Sequence, residues 1–356
     1  MKELKIFAIL VIFTGIVYWG VEPYAHSQMH EHTSNVNFDL KAGDIAQAQV
    51  ELEKANASGK KEDIESATKQ LEDTKKLWAN VDKIASLKGD VETGKADFEA
   101  NCASCHRASF AGFNDADDGI GAQGIIIPDL STAGAIYDNK FLMAISINPA
   151  LAMKNHKKYN EENPHPMMTA FLEDDGSIND ENAQAVANLV AYLNSIGKAA
   201  LDDKKAKIAS EINASKLSDS EKAAKIEFEN RKIVFDDACG RCHDVKYDGF
   251  IAKVNGGDLK DYMGSTPPDL SIIIRAKGED YLHKFINDTQ KQLLGTAMPR
   301  VGVNEQAQND IVTYLTNVGD SKKAEREDLG LKIMAYFALL AVLAYAWKNA
   351  IWKELH

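Results

Sequence analysis

The stretch "NCASCHRASF", Asn101 to Phe110, decides how this chain is read. Its two cysteines stand three apart, and a histidine follows the second. The chain has four cysteines, and the other two stand in "CGRCH", Cys239 to His243. Three chemistries use Cys-x-x-Cys. Zinc draws four ligands from two such pairs, but it accounts neither for the histidine after each second cysteine nor for the long gap between the pairs. A thioredoxin-like redox pair needs a βαβ setting and occurs once. Cys-x-x-Cys-His is the attachment signature of c-type haem. On one helical turn the two cysteines face the same side, where both can form thioethers with the haem vinyl groups. The histidine, four from the first cysteine, falls on that side as well. Two matches that consume every cysteine point to two covalently attached haem c groups. Cys102 and Cys105 would hold one, Cys239 and Cys242 the other, with His106 and His243 toward the iron.

Composition sets the frame. A chain of 356 residues has room for two or three domains, and 45% apolar content is that of an ordinary folded protein. The formal net charge of −12 argues against a nucleic-acid partner, whose phosphates need a basic face. An acidic surface attracts a basic protein partner and steers its approach.

Both ends are greasy. From Ile6 to Val21 the run "IFAILVIFTGIVYWGV" carries no charge, with Lys2 and Lys5 before it. No small-x-small cleavage site follows; "VEPYAHS" places Pro23 and Tyr24 where small residues belong. With its flanks the run matches the roughly 20 helical residues that span a bilayer, so it reads as a retained anchor rather than a leader. At the other end Ile333 to Ala346 is unbroken apolar sequence. Trp347 and Trp352 suit a membrane interface, and Lys348 and Lys353 can snorkel. Lysines at both termini would sit inside, leaving the middle outside the cytoplasmic membrane. Lys322, Lys323, Arg326 and Lys332 on the other flank of the last span keep the charge rule from deciding. Haem attachment decides it, because c-type haem is joined on the outer side in bacteria, which is the periplasmic side.

Between the anchors the chain repeats itself. Phe98 and Phe235 each stand four before a first cysteine, and "PDLS" occurs at Pro128 to Ser131 and at Pro268 to Ser271. "KFLMAISIN" from Lys140 is echoed by "DYLHKFIND" from Asp280, and "NLVAYLNSIG" ending at Gly197 by "DIVTYLTNVG" ending at Gly319. The last pair is amphipathic at helical spacing.

This order resembles the class I cytochrome c fold over roughly residues 88–198 and 225–320. The resemblance implies a mostly α chain: two tandem class I cytochrome c modules with N- and C-terminal transmembrane helices and a charged helical hairpin. The expected segments are an anchor with an interfacial stretch (1–36), the hairpin (37–87), module 1 (88–198), a helical connector (199–224), module 2 (225–320) and a second anchor (321–356). In that family the first and last helices cross with an aromatic from each, places matched by Phe98 with Tyr192 and Phe235 with Tyr314. Pro128 and Pro268 match the proline near the proximal histidine. A glycine eight before the first cysteine is matched by Gly94 but not by Arg231, so the second crossing is expected to be looser.

The resemblance also implies a sixth iron ligand before each final helix. In "GTAMPRV" Met298 is followed by Pro299. In "NPHPMMTAF" Met168 precedes Thr-Ala-Phe, similar to the family's Met-Pro-Ala-Phe, with Met167 as the alternative and Met153, His156 and His165 further off. A thioether raises the potential relative to bis-histidine ligation. It also fills the sixth position, so the haem passes electrons rather than binding peroxide or oxygen.

Residues 39–84 read as two charged helices around "ASGK", either docking on a partner subunit or acting as a solvated spacer. His26, His30 and His32 stand in "EPYAHSQMHEH", either a metal-binding group or, as expected here, an interfacial segment that touches another membrane subunit. The whole layout resembles the dihaem cytochrome c1-type subunit of bacterial cytochrome bc1 complexes. That implies an electron-transfer subunit without substrate chemistry of its own, in a dimeric complex with cytochrome b and Rieske subunits. A downstream cytochrome c or terminal oxidase would take the electron. The dihaem subunit of a cbb3-type oxidase usually has an N-terminal anchor alone. A dihaem cytochrome c peroxidase needs one haem open to peroxide.

Overall fold

The computed structural model describes residues 2–22, 24–25, 39–114, 126–155, 158–159 and 171–355. These are mostly helical, and the β pairing among them is confined to isolated bridges. In chain order, α1 (Lys2–Ile16) runs into a π-helical stretch, Val17–Val21. Next come α2 (Leu40–Ser58), α3 (Lys61–Ala85) and α4 (Val91–Asn101), which ends at the first cysteine motif. The short helices α5 (Ala133–Ile136), α6 (Asn139–Ile147) and α7 (Pro149–Ala152) lead to the long α8 (Asp180–Asn213). Helix α9 (Asp219–Ala238) ends at the second motif. The order then recurs with α10 (Gly256–Met263), α11 (Ile273–Lys277), α12 (Glu279–Asn287), α13 (Thr289–Gln292) and α14 (Glu305–Gly319). Helix α15 (Lys323–Leu355) is last.

Helix starts are written in the sequence. Asp39, Asp90, Asp138 and Asn179 each accept a backbone N–H of the first turn that follows. Ser218 and Glu221 close a capping box at α9. Gly59, at φ 69°, ends α2 in the left-handed conformation. No proline or glycine follows Gly197 until the chain is well past Asn213, so α8 runs unbroken from the core of the first repeat into the connector.

Helices α2 and α3 are no solvated spacer. One face of α3 presents Leu77, Trp78, Val81 and Ile84, the last three fully buried. This face packs on Phe141, Ala144 and Ile147 of α6 and on Ala183 and Val186 of α8. Burying Leu77, Val81 and Ile84 contributes roughly 1.5–3 kcal/mol each. The segment is thus part of the core of the first repeat.

The first and last helices of each repeat cross with an aromatic from each, as the resemblance to class I cytochromes c implies. Phe98 meets Tyr192 at a ring separation of 5.6 Å, and Phe235 meets Tyr314 at 5.0 Å. Helix α4 lies so close to α8 that a Cβ on Gly94 would stand 2.0 Å from the Asn188 carbonyl oxygen. At the second crossing Arg231 occupies the equivalent place, and the Phe228 ring packs 5.3 Å from Tyr314 instead.

The two repeats share a boundary. Asp237 accepts from Thr132 Oγ1 at 2.8 Å and from Lys204 Nζ at 2.7 Å. Ile136 packs in the core of the second repeat, and Tyr137 touches the cores of both.

The two terminal helices stand apart from this body. Leu4–Val21 and Asp328–Lys353 are long and apolar enough to cross a membrane, and neither buries any of that surface.

Candidate haem sites

Each motif begins where a helix stops. Cys102 and Cys239 are the C-caps of α4 and α9. His106 N–H donates to the Cys102 carbonyl at 2.8 Å, and His243 N–H to the Cys239 carbonyl at 3.1 Å. One turn therefore gathers both thiols and the imidazole. All four cysteines are free thiols. Burial pushes Cys102 up to about 11 and Cys239 up to about 12, so neither is a thiolate at neutral pH. That is the opposite of a reactive redox pair. Among the described residues no three His, Cys, Asp or Glu side chains converge as a zinc site requires.

The histidines are set by the recurring Pro-Asp-Leu-Ser. His106 Nδ1 lies 3.1 Å from the Pro128 carbonyl oxygen, and His243 Nδ1 lies 2.9 Å from that of Pro268. A carbonyl can only accept, so Nδ1 carries the proton and Nε2 is the nitrogen left for a metal. Burial lowers the pKa of both imidazoles, which keeps them neutral, the form that ligates.

The proline loop is itself clamped, twice in the same way. Leu130 N–H donates to Arg107 O at 2.8 Å, and Leu270 N–H to Asp244 O at 2.9 Å. Ser131 Oγ donates to Asp129 at 2.5 Å while accepting from Phe110 N–H at 3.0 Å. Ser271 Oγ donates to Asp269 at 2.6 Å while accepting from Tyr247 N–H at 3.0 Å. Burial raises the pKa of Asp129 and Asp269, but the hydrogen bonds outweigh it and hold both below the ordinary carboxylate value. The sequence flagged the repeat and its proline; the Asp–Ser clamp was missed, though the identical "DLS" was the signal for it. Two free thiols on one turn, beside a neutral imidazole fixed through Nδ1, fit a covalently attached haem.

Met298 is half-buried on the segment between α13 and α14. Met167, Met168, His156 and His165 lie outside the described residues, as do His26, His30 and His32. Met153 follows α7 and packs on the core of the first repeat. His283 is half-buried on α12, where its carbonyl accepts from Gln308.

One group had no sequence signal. Arg300 is 1% exposed and makes a two-pronged ion pair with Asp44 of α2, both contacts at 2.8 Å. Nothing in the spacing of residues 39–84 marks Asp44 among the other acids there.

The chain is 26% identical over 137 residues to the ammonia monooxygenase gamma subunit of Nitrosomonas europaea, covering 28% of this chain and 58% of that protein. It is 23% identical over 164 residues to cytochrome c1 of Allochromatium vinosum, covering 32% of this chain and 66% of that one. The chain thus covers less than two thirds of the length of either relative. The cytochrome c family matches residues 91–197 and 229–319, more than half of the chain, and each stretch carries one motif turn. The chain belongs to the cytochrome c family, whose covalently held haem carries electrons.

Proposed function

We propose that this chain is a membrane-anchored dihaem cytochrome of a quinol-oxidising bc complex. In this reading it takes electrons from a Rieske iron–sulfur protein and passes them to a soluble cytochrome or a terminal oxidase. The observation that carries it is the duplicated imidazole frame, His106 on Pro128 O and His243 on Pro268 O, set between two exposed apolar helices. The partial likeness to a cytochrome c1 points to the bc class of complex.

Two tandem class I modules, 88–198 and 225–320, each hold one haem c. Cys102 and Cys105 anchor the first and Cys239 and Cys242 the second. His106 and Met168 would ligate the iron of the first haem, and His243 and Met298 that of the second. The haem iron supplies a one-electron couple. The residues of the chain hold it, exclude a sixth-position substrate and, through the Nδ1 hydrogen bonds, fix the ligating tautomer. Rieske centres reach about +300 mV, so an acceptor with a methionine ligand is suitably placed in potential. The helices at either end anchor the modules on the outer face of the membrane, in a complex that is dimeric.

The test is purification of the full chain from its native membrane in mild detergent. Co-purification of a b-type cytochrome and a Rieske protein, with haem reduction by quinol, is the expected result. A copper-containing haem oxidase in their place would move the chain to a cbb3-type complex. Isolation alone with peroxide turnover would overturn both the complex and the methionine ligation.

A further inference from the structure

The segment that carries Met298 is fastened to the other repeat. Arg300 stands two residues after it. Its N–H donates to Met153 O at 3.0 Å, and its guanidinium donates to Ala152 O and to both Asp44 oxygens. Beyond it, Asp138 N–H donates to Gly302 O at 2.9 Å, Val303 bridges Tyr137, and Asn304 N–H donates to Ile136 O at 2.9 Å. Gly302 has φ 68°, and a Cβ there would lie 2.1 Å from the Phe141 ring, so the backbone lies directly against α6.

The polar end of this contact is a buried, balanced cluster. Lys154 Nζ reaches Asp44 at 3.0 Å and Asp288 at 2.6 Å, and the side chains of Arg300, Asp44, Lys154 and Asp288 are 0, 5, 9 and 3% exposed. Trp78 Nε1 adds a hydrogen bond to Asp44 at 3.1 Å. Lys154 is held at φ 56°, the left-handed region that a lysine rarely adopts. A buried ion pair is a poor source of stability, but it fixes one arrangement, because each half alone is an uncompensated charge. Asp44 lies outside both stretches matched by the cytochrome c family.

We infer that the Asp44–Arg300 pair is a positioning device that holds the Met298 segment in its ligating place, so that ligation of the second haem depends on α2 and the first repeat. This rests on the reading of Met298 as a sixth ligand. Loss of the pair leaves the haem covalently attached and frees the methionine.

The test uses the full chain with its haems attached, as wild type and as Asp44→Asn, Arg300→Lys and Met298→His. Three quantities are read: haem content, the far-red charge-transfer band of methionine-ligated ferric haem, and the midpoint potential of each haem. Asp44→Asn is expected to keep its haem content, weaken the band, and lower one potential. Added imidazole gives a further reading. A fall in the methionine-bound population from about 99 to 90 in a hundred raises the open form, and imidazole affinity, about tenfold. Arg300→Lys keeps the charge and the fold but cannot grip both Asp44 oxygens, so it shows the same changes in smaller measure; it decides if Asp44→Asn fails to mature. Band, potentials and imidazole affinity unchanged in both variants would overturn the inference. If Met298→His also leaves both potentials unchanged, the ligand reading itself fails; if it shifts one potential while the other two variants do not, the positioning device alone is wrong.

Discussion

The two cysteine motifs share the hydrogen bonds that fix their imidazoles, while the helices that bring them into place meet through different side chains. At the first crossing Gly94 lets α4 lie against the α8 backbone; at the second, Arg231 stands in the equivalent place and Phe228 packs beside Tyr314. The imidazole frame is set by short contacts within a single loop, so it survives in both copies with the same geometry. A helix crossing is set by whichever side chains meet, and several solutions leave the frame in place. The difference separates what the haem site requires from what merely supports it.

The largest effect should follow from removing a motif. Cys102→Ala with Cys105→Ala, and Cys239→Ala with Cys242→Ala, should each leave one covalent haem per chain where two are proposed for the wild type, read by mass and by haem absorbance. A chain that keeps both haems, or loses both, in either variant would end the reading of two independent sites.

The crossing comes next. Gly94→Val would drive a side chain into the Asn188 carbonyl, which cannot move without α8. Overpacking of this kind costs typically 1–3 kcal/mol and more where backbone is the obstacle. Arg231→Ala on α9, whose side chain is 24% exposed and among the described residues pairs along its own helix with Glu227, should stay within about 0.5 kcal/mol. Denaturant midpoints followed by haem absorbance would compare them. Equal losses at the two sites would mean that the crossings are alike after all.

The loop clamp should respond alike in both copies. Ser131→Ala and Ser271→Ala each remove a buried hydroxyl that serves Asp and a backbone N–H at once. Leaving such groups unpaired costs about 1–3 kcal/mol, and the two losses should match within the scatter of the method. Unequal losses would show that one frame is held by something besides its clamp.

These cases also show what the sequence could reveal. The motif turns and the repeat depend on residues close in the chain or recurring in it, and were legible as spacing. The aromatic pairs, the proline under each histidine and Gly94 against Arg231 came from the resemblance to class I cytochromes c. The role of α2 and α3 was not legible. Trp78, Val81 and Ile84 look like a thin stripe on a charged helix, and only the tertiary contact with Phe141 and Val186 makes that stripe a core. Asp44 and Arg300 stand 256 residues apart, so nothing in local spacing could pair them.

The smallest effect tests the comparison most finely. Tyr314 and Tyr192 occupy the same place in the two crossings, yet Tyr314 donates its hydroxyl to Asp248 at 2.8 Å, and Lys232 pairs with that carboxylate at 2.6 Å. The Tyr192 hydroxyl is buried with no partner among the described residues. Tyr314→Phe removes a charge-assisted bond and should cost about 1.5–3 kcal/mol at most, nearer 1 because Asp248 keeps Lys232. Tyr192→Phe removes an unsatisfied oxygen, so its cost falls to about zero or turns into a slight gain. The sign of the difference matters more than its size. If Tyr192→Phe proves as costly as Tyr314→Phe, the first hydroxyl has a partner beyond the described residues, and the two crossings share a polar contact as well as an aromatic one.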